Sequence, residues 1–307
     1  GQAAALGSLT LALLVIVAPL QRWLSSRRSY ALVGSRMRPA VIQLGAWRWP
    51  VFWLTCVLAI LLVLVPVLSV ITASFMTRFG FFNLPWTGAH WRQAFTDSVF
   101  LLSLKNTIIV SLSVAIGGVL LCSLLGYVIV RPRGIKGRGV LDVIAWVPSI
   151  IPGALAGLGL LWMFLTTPLF KPFYGSLFLL IVACLLVVIT FGTQVFKAAL
   201  LQMKSELEEA ARTSGAGWLR SYVRIVLPLL APTLVAVGTL MFLFTANATS
   251  NIIILSSSST RTLSLLTLEL VRDGVPETAA VTVIIITAIT ACMAFLARAF
   301  GHDRVLA

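Results

Sequence analysis

Residues 104–130 read LKNTIIVSLSVAIGGVLLCSLLGYVIV, with Lys105 the only charge. A helix over this stretch rises 1.5 Å per residue and reaches about 40 Å, more than the roughly 30 Å of bilayer hydrocarbon. Its polar side chains are small and scattered, and no face carries charge at helical spacing as a soluble amphipathic helix would. The stretch predicts a membrane span. Six further runs repeat the pattern, near Ala3–Leu20, Pro50–Ile71, Val140–Leu165, Leu177–Phe196, Leu227–Ala248 and Ala279–Ala299. The expected fold is therefore all-α, a polytopic transmembrane helical bundle of about seven spans.

Composition supports that reading. The 307 residues are 59% apolar and 10% charged, with a mean hydropathy of +1.04, so the chain lacks the polar surface that a soluble domain needs. Cys56, Cys122, Cys184 and Cys292 all fall inside apolar runs without metal-knuckle spacing, and read as packing residues. A net charge of +14 raises the question of nucleic acid, but the basic residues lie between spans. The segments 21–49, 131–139 and 197–226 and the tail carry 17 Lys and Arg, and the alternate side carries 6. The positive-inside rule then puts the richer side in the cytoplasm, with the C-terminus inside and Gly1 outside. The clusters set topology and meet anionic headgroups, and nucleic acid is not an expected partner.

The first and last spans leave the membrane alike, through Trp23-Leu24 and Arg27-Arg28 in one case and Phe295-Leu296 and Arg298 in the other. This repeat, an odd span count and an outside start suggest a fragment. Residues 1–20 are expected to close a preceding unit, 21–49 to form a basic cytoplasmic linker, and 50–307 to hold one six-span unit.

Chemistry-bearing residues are sparse. His90 and His302 are the only histidines, and no metalloprotease, nucleophile-elbow or phosphate-cradling motif occurs. No catalytic residue and no metal ligand set is predicted. Within the apolar runs the one acidic residue is Asp142, read as a charge at a helix N-terminus facing headgroups. An ion-gradient carrier or channel, the competing class, would be expected to carry intramembrane carboxylates.

The most informative segment is the loop between the fifth and sixth spans. Ser205 followed by Glu208 has capping-box spacing, and Glu206, Glu208 and Glu209 suit the positive end of a helix dipole. Gly215 is placed to end that helix with positive φ. A second short helix follows, with Arg220 and Arg224 one turn apart, and Pro228 is expected to open the sixth span. The result is a helix–turn–helix knob whose small Ala210 and Ala211 permit close approach; helix physics alone leaves open whether it meets a protein or rests on the bilayer.

Glu209-Ala210-Ala211, Gly215, Ile225 and Leu227-Pro228 fill every position of the loop that marks permease subunits of binding-protein-dependent ABC importers, and the six-span unit resembles that family. Asn106-Thr107 and the run Pro148 to Gly153 belong to the same likeness. The resemblance implies that the loop docks on an ATP-binding subunit and transmits its closure to the spans. It implies a second permease half or subunit, two ATP-binding subunits holding ATP and Mg, an external substrate-binding protein, and a bacterial inner (plasma) membrane. No cofactor is implied in this chain. More narrowly, Gln43 to Pro50, with Trp47 and Trp49, resembles the joint of fused ferric-iron type permeases. Ferric iron is thus the implied solute, with aminophosphonate or polyamine as the alternative, while Trp47, Trp49 and Trp53 read as well as an interfacial aromatic belt.

Two places break the apolar pattern and are candidates for a translocation pathway. Ser149, Pro152 and Gly153 lie where two prolines must loosen the fourth span. Asn247 and Asn251, with Thr249 and Ser250, crowd the end of the sixth, where they either face a passage or emerge into water. The following stretch, 249–278, is read as a re-entrant or docking surface.

Overall fold

The computed structural model describes residues 45–81, 83–131, 137–203 and 206–302. The expected span 1–20, nearly all of the linker 21–49 and the capping residue Ser205 lie outside them. Among the described residues the structure is helical, with a single antiparallel bridge between Met76 and Trp86.

Four helices among the described residues are long and apolar enough to cross a membrane: α1 (Arg48–Phe75), α3 (Ser98–Val130), α6 (Leu177–Gln202) and α11 (Pro276–His302). Between them lie α2 (Ala89–Thr96), α4 (Arg138–Ile150), α5 (Gly153–Thr166), α7 (Glu206–Thr213), α8 (Trp218–Leu229), α9 (Ala231–Ala246) and α10 (Leu263–Arg272).

Two expected spans are not single rods. Residues 140–165 form α4 and α5, which meet at 108°. Pro148 lies inside α4, Ile151 before Pro152 is extended with φ −85° and ψ 122°, and α5 restarts at Gly153. A residue before proline is pushed out of the helical region, so the chain turns there rather than loosening. The sixth span likewise begins at Ala231, because α8 runs on to Leu229 and meets α9 at 76°. Leu227 and Pro228 thus belong to the knob's second helix, and Pro232 takes the first-turn position of α9.

Both π-helical segments, Ile60–Leu64 and Tyr222–Val226, precede a proline, Pro66 and Pro228. A proline ring clashes with the carbonyl four residues back, and the wider turn makes room for it.

In lipid, helices gain little from hiding apolar surface against one another, so close backbone approach matters more. The α3–α6–α9 core shows this. A Cβ on Gly126 would lie 3.0 Å from Phe196 Cβ, and one on Gly192 would lie 2.8 Å from Cys122 Sγ and collide with Met241 Cε. Cys122, Tyr127, Leu179, Leu180, Phe196, Val226 and Met241 are buried around these contacts. By contrast, the most apolar window of α1 has no buried residue, and Leu62 is 73% exposed. A stretch apolar on every side with so little protein cover suits a hydrocarbon environment. Cys122 and Cys184 are buried packing residues as expected, but Cys292 is exposed.

Candidate functional site

The knob is built as its residue types dictate. In α7 the three glutamates fill the first turn and Arg212 the last, each matching the helix dipole. At its end Gly215 has φ +82°, Gly215 N donates to Arg212 O at 3.0 Å and Ala216 N to Ala211 O at 2.9 Å. This paired closure satisfies the last carbonyls and needs the left-handed residue that glycine supplies without strain. Gly217 then starts α8.

What fastens the knob to the bundle is a buried polar network. Glu208, 5% exposed, pairs through Oε1 with Arg131 Nε at 3.0 Å and accepts from Tyr127 Oη at 3.1 Å through Oε2. Arg131 also donates from Nη2 to Leu200 O at 3.1 Å and Met203 O at 2.8 Å, the carbonyls that end α6. One guanidinium therefore ties together α3, α6 and α7, using the planar fork that a lysine lacks. On the α8 side, Tyr222 Oη lies 2.8 Å from Ser123 Oγ, and its ring sits 4.9 Å from that of Tyr127. Ser123, Tyr127 and Arg131 recur at four-residue spacing, one stripe along α3.

Glu209 and Ala210 are exposed on the outer side of α7, and Ala211 is half-buried. Leu207, Trp218, Leu219 and Val223 are also exposed, 56%, 55%, 56% and 49%. Ile225 and Leu227 are half-buried and Pro228 is exposed on α8. The knob thus presents Glu206, Glu209 and Arg212 on α7 and apolar side chains with Arg220 and Arg224 on α8, and hides the one glutamate that anchors it. Sequence reasoning gave Glu208 only a capping role and passed over Arg131 and Tyr127. The signal available was the stripe Ser123, Tyr127, Arg131 at the end of an apolar helix.

At the opposite end, Asn106 Nδ2 donates to Ser259 O and Arg261 O, each at 2.9 Å, and Thr107 Oγ1 accepts from Leu263 N at 2.8 Å. Asn251 is 5% exposed and donates to Ala183 O at 3.3 Å on α6. It does not emerge into water: a buried amide must find partners, and this one finds them on a neighbouring helix. Gly153 and Gly157 of α5 pack under the same turn, where a Cβ on Gly157 would lie 2.9 Å from Asn251 O. Gly153 and Asn251 are thus brought together, and Pro152 starts the same helix. Asn247 is exposed, and Ser149 is exposed with its hydroxyl donating to Trp146 O. Most of α10 is not a free surface, since Leu263, Leu265 and Leu266 are buried.

Asp142 departs from expectation. It receives Lys197 Nζ in an ion pair between side chains only 15% and 14% exposed, so it joins α4 to α6 rather than facing headgroups. Among the described residues no three His, Cys, Asp or Glu are grouped to hold a metal.

Residues 118–304, from the middle of α3 through the knob and past α11, match the family described as binding-protein-dependent transport system inner membrane component. Over 145 residues, 47% of the chain and 56% of the relative, it is 30% identical to the molybdate/tungstate transport system permease protein WtpB of Pyrococcus abyssi. It is 28% identical to the sulfate transport system permease protein CysT of Salmonella typhimurium over 50% of the chain and 58% of the relative. The ferric transport system permease protein FbpB of Actinobacillus pleuropneumoniae is 27% identical over 56% of the chain and 25% of the relative. The matches thus span little more than half of the first two relatives. In fold the chain is similar to a bacterial ABC transporter involved in the import of the acidic polysaccharide alginate, with a TM-score of 0.65 at 17% identity over 83% of the chain and 94% of the other. The family match covers more than half of the sequence and includes the knob with the helices that root it: the chain belongs to the inner-membrane components of binding-protein-dependent transport systems.

Proposed function

We propose that the chain is a permease subunit of an ATP-driven importer, forming one part of a passage for a small solute and taking its energy from separate ATPase subunits. The observation that carries this is the knob: an exposed surface of mixed charge on α7, continued by apolar and basic side chains on α8, rooted by Arg131 in two spans at once. A surface that merely rested on lipid would have no need of so rigid a root. In this reading Glu209, Ala210, Ala211, Gly215, Ile225, Leu227 and Pro228 form the ATPase-coupling element, ATP and Mg sit in the partner subunits, and no covalent step occurs in this chain. In this reading the knob faces the cytoplasm with the C-terminus, which the distribution of Lys and Arg supports. The remaining partners are a second permease half or subunit and an external substrate-binding protein, in a bacterial inner membrane.

The candidate pathway is the break at Ser149, Pro152 and Gly153 against Asn251, with Asn247 beside it. Irregular backbone at membrane depth survives only against protein or a wet cavity. For the solute we propose ferric iron, supported by the 43–50 joint and by the likeness to the ferric permease. Oxyanions are the second reading, supported by the likenesses to molybdate/tungstate and sulfate permeases.

The test is purification of the tagged chain from its native membrane. ATPase subunits should accompany it, and Gly215→Val should release them while the chain stays inserted; recovery of the chain without ATPase subunits would overturn the reading. Uptake of labelled iron, molybdate and sulfate by the reconstituted complex then decides the solute, and transport of either oxyanion without iron would refute the iron assignment.

A further inference from the structure

The two helices of the knob differ in charge. α7 carries Glu206, Glu208 and Glu209 against Arg212, whereas α8 carries Arg220 and Arg224 and no acidic residue. Because Glu208 is turned inward, the exposed charges of α7 are Glu206, Glu209 and Arg212. Among the described residues no carboxylate pairs with Arg220 or Arg224. The two lie one turn apart, where like charges repel on a helix surface, and an anion held between them relieves that repulsion.

The placement of α8 suits lipid. It meets α9 at 76°, and a helix nearly perpendicular to the span it leads into runs along the membrane surface. Its inner side buries Ser221, Tyr222 and Val226. Its outer side has an open notch of about 510 Å³, lined by Gly217, Trp218, Leu219, Arg220, Val223 and Arg224. Tryptophan and arginine both suit the headgroup level, the first by its amphipathic ring and the second by an apolar stem beneath a charged head. None of the six is among the residues assigned to ATPase coupling.

We propose that the α8 notch binds the phosphate of an anionic phospholipid, gripped by Arg220 and Arg224, with the glycerol and upper acyl carbons against Leu219, Val223 and the Trp218 ring. The guanidinium fork matches phosphate oxygens in a way that an ammonium does not. The knob is thereby divided. α8 lies on the cytoplasmic leaflet, whose lipids are anionic, and α7, whose exposed glutamates that surface repels, is left to the ATPase subunit. The division rests on the permease reading; the lipid site does not.

The experiment uses the complete complex in nanodiscs of phosphatidylcholine containing a small fraction of phosphatidylglycerol that bears a photoreactive group near its headgroup. A parallel sample carries the same group on phosphatidylcholine. After irradiation, labelling of residues 217–224 is read by mass spectrometry. Phosphatidylglycerol should label this segment about 30-fold more than phosphatidylcholine, the preference that two basic residues near an anionic headgroup supply. Arg220→Gln with Arg224→Gln should bring that ratio to within about twofold of one. Arg138→Gln with Arg298→Gln removes the same charge from exposed positions on α4 and α11 and should leave the ratio within about twofold of the parent's. A parent ratio near one overturns the site. So does a ratio that falls as far in the Arg138 and Arg298 variant as in the Arg220 and Arg224 variant, since attraction would then be diffuse. Loss of labelling on adding millimolar inorganic phosphate at constant ionic strength would assign the pair to a free anion and overturn the lipid. A parent ratio near one with ATPase subunits bound leaves the permease reading standing. Selective labelling of a chain that purifies without ATPase subunits supports the lipid site and removes the permease reading, and with it the division of the knob.

Discussion

Removing the carboxylate of Glu208 or the guanidinium of Arg131 should free the knob without unfolding the bundle, and the two changes should not cost the same. The side chains are 12% and 7% exposed for Arg131 and Glu208, so solvent screens the pair little. Breaking a buried ion pair by deleting one partner costs about 3–5 kcal/mol, because the other charge is left uncompensated. Glu208→Ala leaves Arg131 with Leu200 O and Met203 O still to donate to, which places it at the lower end. Arg131→Ala leaves Glu208 with the Tyr127 hydroxyl and frees two helix-end carbonyls, which places it at the upper end. Glu208→Gln keeps an acceptor for Tyr127 and should cost about 1–3 kcal/mol, near that of a weakened hydrogen bond to a charged group. The readout is trypsin cleavage at the exposed Arg212 and Arg220 in detergent, under conditions where cleavage follows the population of the opened knob. At about 1.4 kcal/mol per tenfold, cleavage should rise in the order Glu208→Gln, Glu208→Ala, Arg131→Ala, by roughly 5- to 100-fold in the first and roughly 100- to 4,000-fold in the alanine variants. The double alanine variant should cost well under the sum of the singles, as expected of groups in contact. Cleavage within about twofold of the parent in both single alanine variants, or full additivity in the double, would refute the claim that this pair fastens the knob.

Other consequences are separable. Nothing lies within 4 Å of a Cβ on Gly215, so Gly215→Val should destabilise the turn through its backbone alone, by about 1–2 kcal/mol, with Gly215→Asn milder in the same proteolysis assay. For orientation, Ser258→Cys should react with an impermeant thiol reagent from outside intact cells and Thr213→Cys should not; the reverse labelling would invert the topology. Asp142→Ala should lower thermal stability by stranding Lys197 between α4 and α6, whereas Asp142→Leu with Lys197→Met should restore most of the loss, since a buried pair replaced whole is often neutral. Failure of the double change to recover stability would mean that Asp142 does more than balance Lys197.

The membrane class was legible because the spans announce themselves by length and by the absence of charge, and the knob because its turn chemistry is local: acidic first turn, glycine closure, short second helix. Its attachment was not legible. Glu208 and Arg131 are 77 positions apart, and no periodicity reveals that one points inward to meet the other. The bends failed for a related reason. Pro148, Pro152 and Pro228 signalled irregularity, but whether a proline kinks a helix or ends it depends on what packs beside the freed carbonyls. Here the Asn251 turn sits over Gly153 and Gly157, and a continuous span would have to displace it. Asn251 itself looked like a helix end meeting water because its neighbours Asn247, Thr249 and Ser250 are polar; its burial is set by Ala183, 68 residues earlier. Asp142 was misjudged likewise, its partner Lys197 reading as the start of the loop after the fifth span, whereas α6 runs on to Gln202.

The most direct test of the central claim is site-specific photo-crosslinking from the knob in the native membrane. A photoreactive residue at Ala210, exposed on α7, should join this chain to an ATPase subunit, in a yield that changes when Mg-ATP and vanadate are added. The same probe at Leu62, exposed on α1, should join lipid in either state. Crosslinks from Ala210 to lipid alone, insensitive to nucleotide, would show that the knob lies on the bilayer and would contradict the assignment of this chain as the membrane partner of an ATPase.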